Sequence, residues 1–502
     1  MKESRLEDIK KIEGKLETIK TMDFEGYILK ALKAMNLTFV CPGQAGGKIG
    51  AGLVKAGFYT VFINTATPDI ENLKGLLKGV DKELYKIIKL EGFEGCAKKR
   101  EVGLQAIEEN TDLIEKQLMN DERIKNCTYT FIVAGLGGGT GTGSIDLLSQ
   151  IISAVMRSDQ RTRPTDEYPN GKPTVSTIVA YPDSSAAQQP LLNAAQTLLE
   201  IQDLQEQGIL GSNLIIDNQK MIDDFLMDET NTYKDWVTKG NKMASQVLTE
   251  LAYIAWMAGD EALDPVEYVD ILSEPGSLAL GKLKLINTGE KSNKGLMKDP
   301  FIESINTKDE LKYDEIIQQA FTNSIFAKDY DFGLAKIGGM AIIKHPESTV
   351  FDVKDKIKLE KAMTNFLEGS LYQVAHFGVY NTDTFGTCKE SNSNKNEAII
   401  YTLLVVDDLP KRVGELTKAA LKKEEERQKR LANRKKETLG EQISKVKKKD
   451  RKEVPSNTKM SLSDIMAKSK RKRNISVISE TAARTEPEEK KSAMISRLKN
   501  LK

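Results

Sequence analysis

The chain has 502 residues, 39% hydrophobic and 29% charged, enough for two or three domains with real cores. Its net charge of +1 hides a division: residues 411–502 hold 29 Lys+Arg against 13 Asp+Glu, net +16, so the other 410 residues are net −15. A mean hydropathy of −0.40 and the lack of any apolar run of roughly 18–20 residues argue for a soluble protein without a membrane span. Two histidines (His345, His376) and four scattered cysteines (Cys41, Cys96, Cys127, Cys388) argue against His-based triads, clustered metal ligands and a disulfide framework. A reducing cytoplasm fits, and catalysis would fall to carboxylates and a bound ion.

In chain order, residues 1–36 read as a helical extension, with Leu6, Ile9, Ile12 and Leu16 at three- and four-residue spacing and no signal-peptide apolar core. From 37 to 231, β-rich runs at 37–41, 59–63, 129–133, 175–180 and 213–216 alternate with helical patterns. That alternation predicts an α/β, Rossmann-like parallel sheet covered on both faces. Residues 232–258 read as one long central helix carrying Val247, Leu248, Leu251, Ile254 and Ala255. Residues 259–410 mix strands (339–343, 398–406) with helices, predicting a catalytic loop and a smaller α+β domain. A charged helix is expected over 411–437, and 438–502 is a basic, Lys/Arg/Ser-rich tail expected to be disordered.

The strongest local signal is Gly135-Leu136-Gly137-Gly138-Gly139-Thr140-Gly141-Thr142-Gly143, between an apolar strand and the helical run 145–155. A loop of small residues at a helix N-terminus exposes free backbone N–H groups to an anion, and the helix dipole adds to the attraction. Thr140 and Thr142 add hydroxyls. The loop is therefore read as phosphate-binding. It lacks the Lys-[Ser/Thr] of a Walker loop, and Thr140 occupies the third glycine position of a dinucleotide fingerprint.

The string GGGTGTG resembles instead the phosphate loop of the tubulin/FtsZ superfamily. Gly43-Gln44-Ala45-Gly46-Gly47-Lys48-Ile49-Gly50 is similar to that family's first nucleotide loop, GQxGxxIG. The resemblance implies that Gly43, Gln44 and Ala45 approach phosphate and that Lys48 neutralises charge. Asn64-Thr65 looks like the second loop, but Ala66 stands where FtsZ has an acid. Mg2+ would then be held by phosphates, water and Gln44, with Asp69 as a substitute carboxylate. Residues 90–103 resemble the third loop of TubZ, the plasmid- and phage-borne tubulins, with Ala97 and Lys98 placed at a γ-phosphate. Tyr181-Pro182-Asp183 occupies the ribose loop; Ala186 stands at the usual acid, leaving Asp183 as its substitute. Asn218 and Asn241 match the two residues that read guanine, and Val237 stands at the stacking position, which Trp236 or Tyr233 could fill.

Gly259-Asp260-Glu261-Ala262-Leu263-Asp264-Pro265-Val266-Glu267 resembles the family's G-x-x-N-x-D-x-x-E loop with Ala262 replacing Asn. Asp264 and Glu267, three apart, would share one helix face and orient a water for attack on phosphate. A helix of about 26 residues spans about 40 Å, so these acids would reach the next subunit's nucleotide rather than their own. Such a head-to-tail contact propagates into a filament. The resemblance thus implies a TubZ-like GTPase using GTP/GDP and Mg2+, polymerising in the cytoplasm, with no membrane partner.

By that resemblance the tail engages DNA or a DNA-bound adaptor, and its clustered Lys/Arg attract phosphates. Met494, Ile495, Leu498 and Leu501 fall on one helical face that suits a partner or an anionic membrane surface, its shortness favouring a peptide that folds on binding. The basic third loop, Ala262 and the N-terminal extension favour TubZ over a cell-division FtsZ. A non-polymerising nucleotide-binding module whose tail binds nucleic acid is the alternative from another class. Asp331-Phe332-Gly333 matches a kinase string by chance, since no His-Arg-Asp exists, and His345 and His376 are read as packing or capping residues.

Overall fold

The computed structural model describes residues 37–157, 171–227, 231–254, 263, 265–286, 303–306, 312–344, 348, 350, 353–368, 370, 374–381 and 397–449. The N-terminal extension, Ala262, Asp264, His345, Cys388 and the tail after 449 lie outside the described residues, as does the side chain of Val237.

The first half runs β1 (Leu37–Pro42), α1 (Gly43–Lys55), β2 (Tyr59–Asn64), α2 (Thr67–Leu76), β3 (Tyr85–Lys89), α3 (Arg100–Glu109), α4 (Thr111–Met119), α5 (Glu122–Lys125), β4 (Tyr129–Gly135) and α6 (Thr140–Arg157). It continues through β5 (Val175–Tyr181), α7 (Gln188–Glu206), β6 (Ser212–Asp217), α8 (Asn218–Leu226) and the central helix α9 (Tyr233–Ile254). The second half comprises α10 (Pro265–Ser273), β7 (Gly276–Ile286), β8 (Glu303–Asn306), α11 (Tyr313–Thr322), β9 (Ala335–Lys344), α12 (Val353–Phe366), β10 (Val374–Asn381), β11 (Glu397–Val406) and α13 (Lys411–Lys449).

Strands β3-β2-β1-β4-β5-β6 lie side by side and all parallel. Strands β1, β2, β4, β5 and β6 are buried along their whole length, as a parallel sheet covered by helices on both faces requires. Only β3 escapes the sequence pattern. It is the edge strand, Lys86 and Lys89 interrupt its apolar run, and Ile88 alone is buried.

The sheet does not stop at β6. A short parallel pairing, Ser212 with Gly276 and Asn213 with Ser277, carries it into β7. From there it continues into β11, antiparallel to both β7 and β9, and on through β9 to β10, which pair in parallel, so the described residues form one eleven-stranded sheet. On β11, Tyr401, Leu403 and Val405 face the core that includes Phe39, Phe62 and Leu248. Ile400, Leu404 and Val406 face the opposite core with Ile317, Phe321 and Leu359. Period-two alternation puts the two sets on opposite sides.

The second half of the central helix is anchored on two sides. Just past its middle, the Ser245 hydroxyl donates to the Ile49 carbonyl of α1 at 2.8 Å. This contact needs Gly52, because a Cβ there would lie 2.4 Å from Ser245 Cβ. Around this contact, Ala244, Val247, Leu248 and Leu251 enter the first core. Glu250, on α9, meets Lys282 of β7 at 2.7 Å, and the Tyr401 hydroxyl of β11 donates to the same carboxylate oxygen at 2.8 Å. Both charged side chains are only 6% exposed.

The chain divides into two compact units, Met1–Thr417 and Lys418–Lys502. Helix α13 begins where the charged helix is expected, at Lys411, and runs past the expected end at 437 to Lys449. Its Glu424–Arg427 pair, half-buried at Glu424 and exposed at Arg427, follows the helical i,i+3 spacing.

Breaking a buried ion pair by removing one partner costs about 3–5 kcal/mol, because the other charge stays buried. Lys282→Met is expected to lower the denaturant midpoint accordingly, with a smaller loss for Glu250→Gln combined with Lys282→Met. A single-mutant loss under about 1 kcal/mol, the size of an exposed pair, would show that Glu250 is not locked in place.

Candidate phosphate-binding site

In a doubly wound sheet the strand order reverses at one point, and the loops leaving the strands there diverge to open a crevice. The reversal here falls between β1 and β4. β1 runs directly into α1 at Gly43, and β4 leads through Leu136–Gly139 into α6 at Thr140. Two helix N-termini therefore point into the same crevice. Neither has an acidic residue in its first turn, and Pro42 caps α1 without any side-chain hydrogen bond. The free N–H groups and the dipoles of both helices thus converge on one place, an arrangement that favours an anion.

Missing side chains make this convergence possible. A Cβ on Gly46 would lie 2.1 Å from the Val133 carbonyl oxygen, and one on Gly43 3.0 Å from the Gly141 nitrogen. Gly43 also has a φ of +75°, which glycine adopts without strain. Gln44, Ala45 and Lys48 are exposed on α1, and Gly137 and Gly138 are half-buried at the loop surface. Gly139, Gly141 and Thr142 lie beneath, buried. The Thr142 hydroxyl donates to the Gly138 carbonyl at 2.7 Å, and the Thr140 hydroxyl lies 3.0 Å from that of Thr65. Here these two hydroxyls brace the loops, leaving the backbone amides as the groups that face the crevice.

Around this pair of helices the second and third loops are tied in place. The Asn64 side-chain oxygen accepts from the Thr65 and Ala66 N–H groups at 2.8 and 3.2 Å, closing the turn after β2. Cys96, in the third loop, puts its Sγ 3.2 Å from the Thr140 hydroxyl. Glu94 accepts from the Thr67 N–H at 3.1 Å and the Thr67 hydroxyl at 3.0 Å, and pairs with Lys89. A carboxylate thus stands beside Ala66, where the acid is missing from the sequence, but Lys89 already neutralises it. Gln44 donates to Asp69 at 2.9 Å, so the substitute carboxylate and the amide expected to help hold a cation are adjacent. Lys98 is exposed at the loop tip, beside Ala97; both have left-handed backbones, with φ of +59° and +46°. Arg100 turns away and pairs with Glu200 of α7.

At the far side, Asp183 accepts from the Ser185 N–H at 2.8 Å, and the Gln219 side chain accepts from the Ser184 N–H at 2.9 Å. Asn218 opens α8 at the end of β6, half-buried, where Asp217 caps the helix through the Gln219 N–H at 3.0 Å. Asn241 is half-buried on α9, one turn before the Ser245 contact with α1. Trp236 packs against Phe225, ring centroids 5.8 Å apart, while Tyr233 is exposed. Arg412, at the start of α13, pairs with buried Asp217 and donates to the Ser184 hydroxyl at 3.2 Å.

Glu267 is set apart, half-buried in the first turn of α10 beyond the central helix. Its Oε1 lies 3.1 Å from His376 Nδ1 on β10. His376, read from sequence as a packing or capping residue, is largely buried and lies against this carboxylate. Beside them the Tyr380 hydroxyl accepts from the Leu263 N–H at 2.7 Å, and burial pushes that phenol well above its usual range.

Sequence reasoning missed Asn193, Glu94, Arg412 and the His376 contact. For Asn193 a signal existed: it lies four and eight residues before Thr197 and Ile201, on the buried stripe of α7.

Residues 36–225 match the Tubulin/FtsZ family, GTPase domain. The tubulin-like protein CetZ of Pyrococcus abyssi is 25% identical over 237 residues, 47% of this chain and 58% of that protein. The tubulin-like protein TubZ of Bacillus cereus is 26% identical over 239 residues, 46% of this chain and 49% of that protein. The chain thus spans only about half the length of these relatives, and it is no closer to one kind than to the other. Among solved structures, a GTPγS-bound protofilament of CetZ2 from Haloferax volcanii superposes with a TM-score of 0.57 at 17% identity, covering 78% of this chain and all of that one. That likeness shows the fold.

Two predictions follow the geometry. Gly46→Ala is expected to cost about 1–3 kcal/mol through overpacking, while Gly75→Ala, in α2 with nothing within 4 Å of the new methyl, is expected to stabilise by about 0.4–1 kcal/mol. Equal effects in thermal unfolding would refute the close-approach argument. The second concerns Glu94, whose carboxyl Lys89 and then Thr67 hold down at about 2, from an ordinary 4.5. A lowered folded value contributes stability above 4.5 that is lost as pH falls towards 2. The Tm difference between wild type and Glu94→Gln is therefore expected to vanish across that window; a pH-independent offset would refute it.

Proposed function

With residues 36–225 a Tubulin/FtsZ-family GTPase domain as the premise, we propose that this chain binds and hydrolyses GTP and assembles head-to-tail into filaments. The observation that carries this reading is the convergence of two glycine-built helix N-termini at the reversal point of the sheet. Glycines such as Gly43 and Gly46 let backbone approach closely there, which suits the repeated negative charge of a polyphosphate.

In this reading, Gly43, Gln44 and Ala45 of α1 and Gly137, Gly138, Gly139, Thr140, Gly141 and Thr142 around the start of α6 cradle the phosphates. Asn64 and Thr65 hold the second loop against them, and exposed Lys48 and Lys98 supply positive charge. Asp183 serves the ribose and Asn218 and Asn241 the guanine, whose mixed edge suits amides that donate and accept. Mg2+ would add charge neutralisation at the phosphates, with Gln44 and the adjacent Asp69 the protein groups at hand.

The 22 residues of α9 span about 33 Å at 1.5 Å per residue. Asp264 and Glu267 follow that helix, so in this reading the two carboxylates reach the phosphate of a neighbouring subunit and together orient the attacking water. Polymerisation then completes the active site. The CetZ2 structure of the same fold is a GTPγS-bound protofilament, which supports assembly through such ends.

Within the family we favour a TubZ-like role in positioning DNA, with the +16 charge of residues 411–502 contacting DNA or a DNA-bound adaptor. A cell-division role, with the tail's last residues on another partner, is the competing reading. Among the described residues no helix is long and apolar enough to cross a membrane.

The test is GTP turnover per subunit against protein concentration, with light scattering in parallel, for wild type and Asp264→Ala. Turnover that switches on above a critical concentration, with a variant that scatters but hydrolyses at least a hundredfold more slowly, is the expected result (about 2.7 kcal/mol of barrier). Flat turnover and no scattering would refute the filament reading. Electrophoretic retardation of DNA by full-length protein, lost at high salt, tests the tail.

A further inference from the structure

One buried polar side chain has no part in the roles above. Asn193, in α7, has no exposed surface. Its Nδ2 donates to the Lys98 carbonyl at 2.8 Å and to the Gly138 carbonyl at 3.1 Å, so one amide group bridges the third loop and the phosphate loop. Its Oδ1 accepts from Gln189 Nε2 at 2.9 Å, which fixes which way the amide faces.

The two acceptors differ in what they hold. Gly138 sits in the loop whose amides face the crevice. Lys98 and Ala97 have left-handed backbones, φ +59° and +46°, a conformation L-residues adopt only when their surroundings enforce it. The enforcement is visible on this side. A Cβ on Gly139 would stand 2.5 Å from Cys96 Cβ and 2.7 Å from the Lys99 carbonyl, so the phosphate loop packs directly beneath the strained turn. Cys96 also reaches the Thr140 hydroxyl. Asn193 hydrogen-bonds both loops, and does so at the strained Lys98 itself.

We propose that Asn193 is a positioning residue that couples the phosphate loop to the third loop and holds the Lys98 ammonium where the terminal phosphate of a bound nucleoside triphosphate meets it. It thereby sets how strongly the protein prefers triphosphate to diphosphate. This rests on the reading of the crevice as a GTP site. Without the amide bridge, the left-handed pair relaxes and only a fraction of molecules present Lys98 correctly. Affinity for the triphosphate falls by that fraction. The diphosphate lacks the group Lys98 meets and keeps its affinity.

The experiment measures Kd for GTPγS and for GDP by calorimetry on the full chain, for wild type, Asn193→Ala, Asn193→Asp and Gln189→Leu. Asn193→Ala is expected to reduce the GTPγS-over-GDP preference about tenfold, the effect of losing one to two hydrogen bonds, with GDP affinity near wild type. Asn193→Asp, which turns an acceptor onto two carbonyls, is expected to lose at least as much. Gln189→Leu changes an exposed residue and is expected to give a smaller loss in the same direction. Wild-type preference retained by Asn193→Ala overturns the proposal. If Asn193→Ala also loses GDP through misfolding, Gln189→Leu decides, and an unchanged preference there overturns it. A wild type that binds GDP and GTPγS equally overturns the positioning role alone, whereas one that binds neither overturns the GTP reading beneath it.

Discussion

Two helices can aim their N-termini at one point only if their first turns and the strands feeding them come closer than side chains permit. In this chain that approach is set by absent Cβ atoms: Gly46 against the Val133 carbonyl, Gly103 against the Gly139 carbonyl, and Gly143 against Leu104. Everything else about the crevice follows. Each helix dipole favours a nearby anion by only about 0.3–1 kcal/mol, so a site of this kind gains its strength by gathering many amides. Gathering them requires the close approach.

The same closeness creates a need for bracing. Glycine-rich loops lose much conformational freedom on folding, and here short polar side chains compensate. Thr142 returns its hydroxyl to the Gly138 carbonyl, Thr65 and Thr140 face each other, and Asn64 closes its own turn. Asn193 and Glu94 then hold the third loop from either side. On the opposite rim, the Asp217–Arg412 pair ties the first residues of α13 to the loops after β5 and β6. The start of the basic C-terminal segment is thus seated on the rim of the crevice.

The central helix links this rim to the mixed half of the sheet. Its contact with α1 depends on Gly52 and Ser245; its contact with β7 and β11 depends on Glu250, Lys282 and Tyr401. A buried charge pair adds little net stability compared with an apolar substitute, but it tolerates no slippage, since any shift would strand a charge. The helix is therefore held in a defined register against α1 on one side and β7 and β11 on the other.

The sequence by itself determined the parallel half of the fold and the place of the crevice. Long apolar runs reveal strands buried on both faces, the Gly43–Gly50 and Gly135–Gly143 strings reveal where helices start from glycine-rich loops, and the charge count separates body from tail. It did not reveal β3, because edge strands carry lysines, nor the continuation of the sheet from β6 into β7, which rests on two paired residues on each side. Asn193 with Lys98, Arg412 with Asp217 and Glu267 with His376 belong to tertiary structure alone. A polar side chain on a helix reads the same in sequence whether it faces water or a buried carbonyl. Partners 95 and 195 residues apart leave no periodic trace, because only the folded sheet brings their segments together.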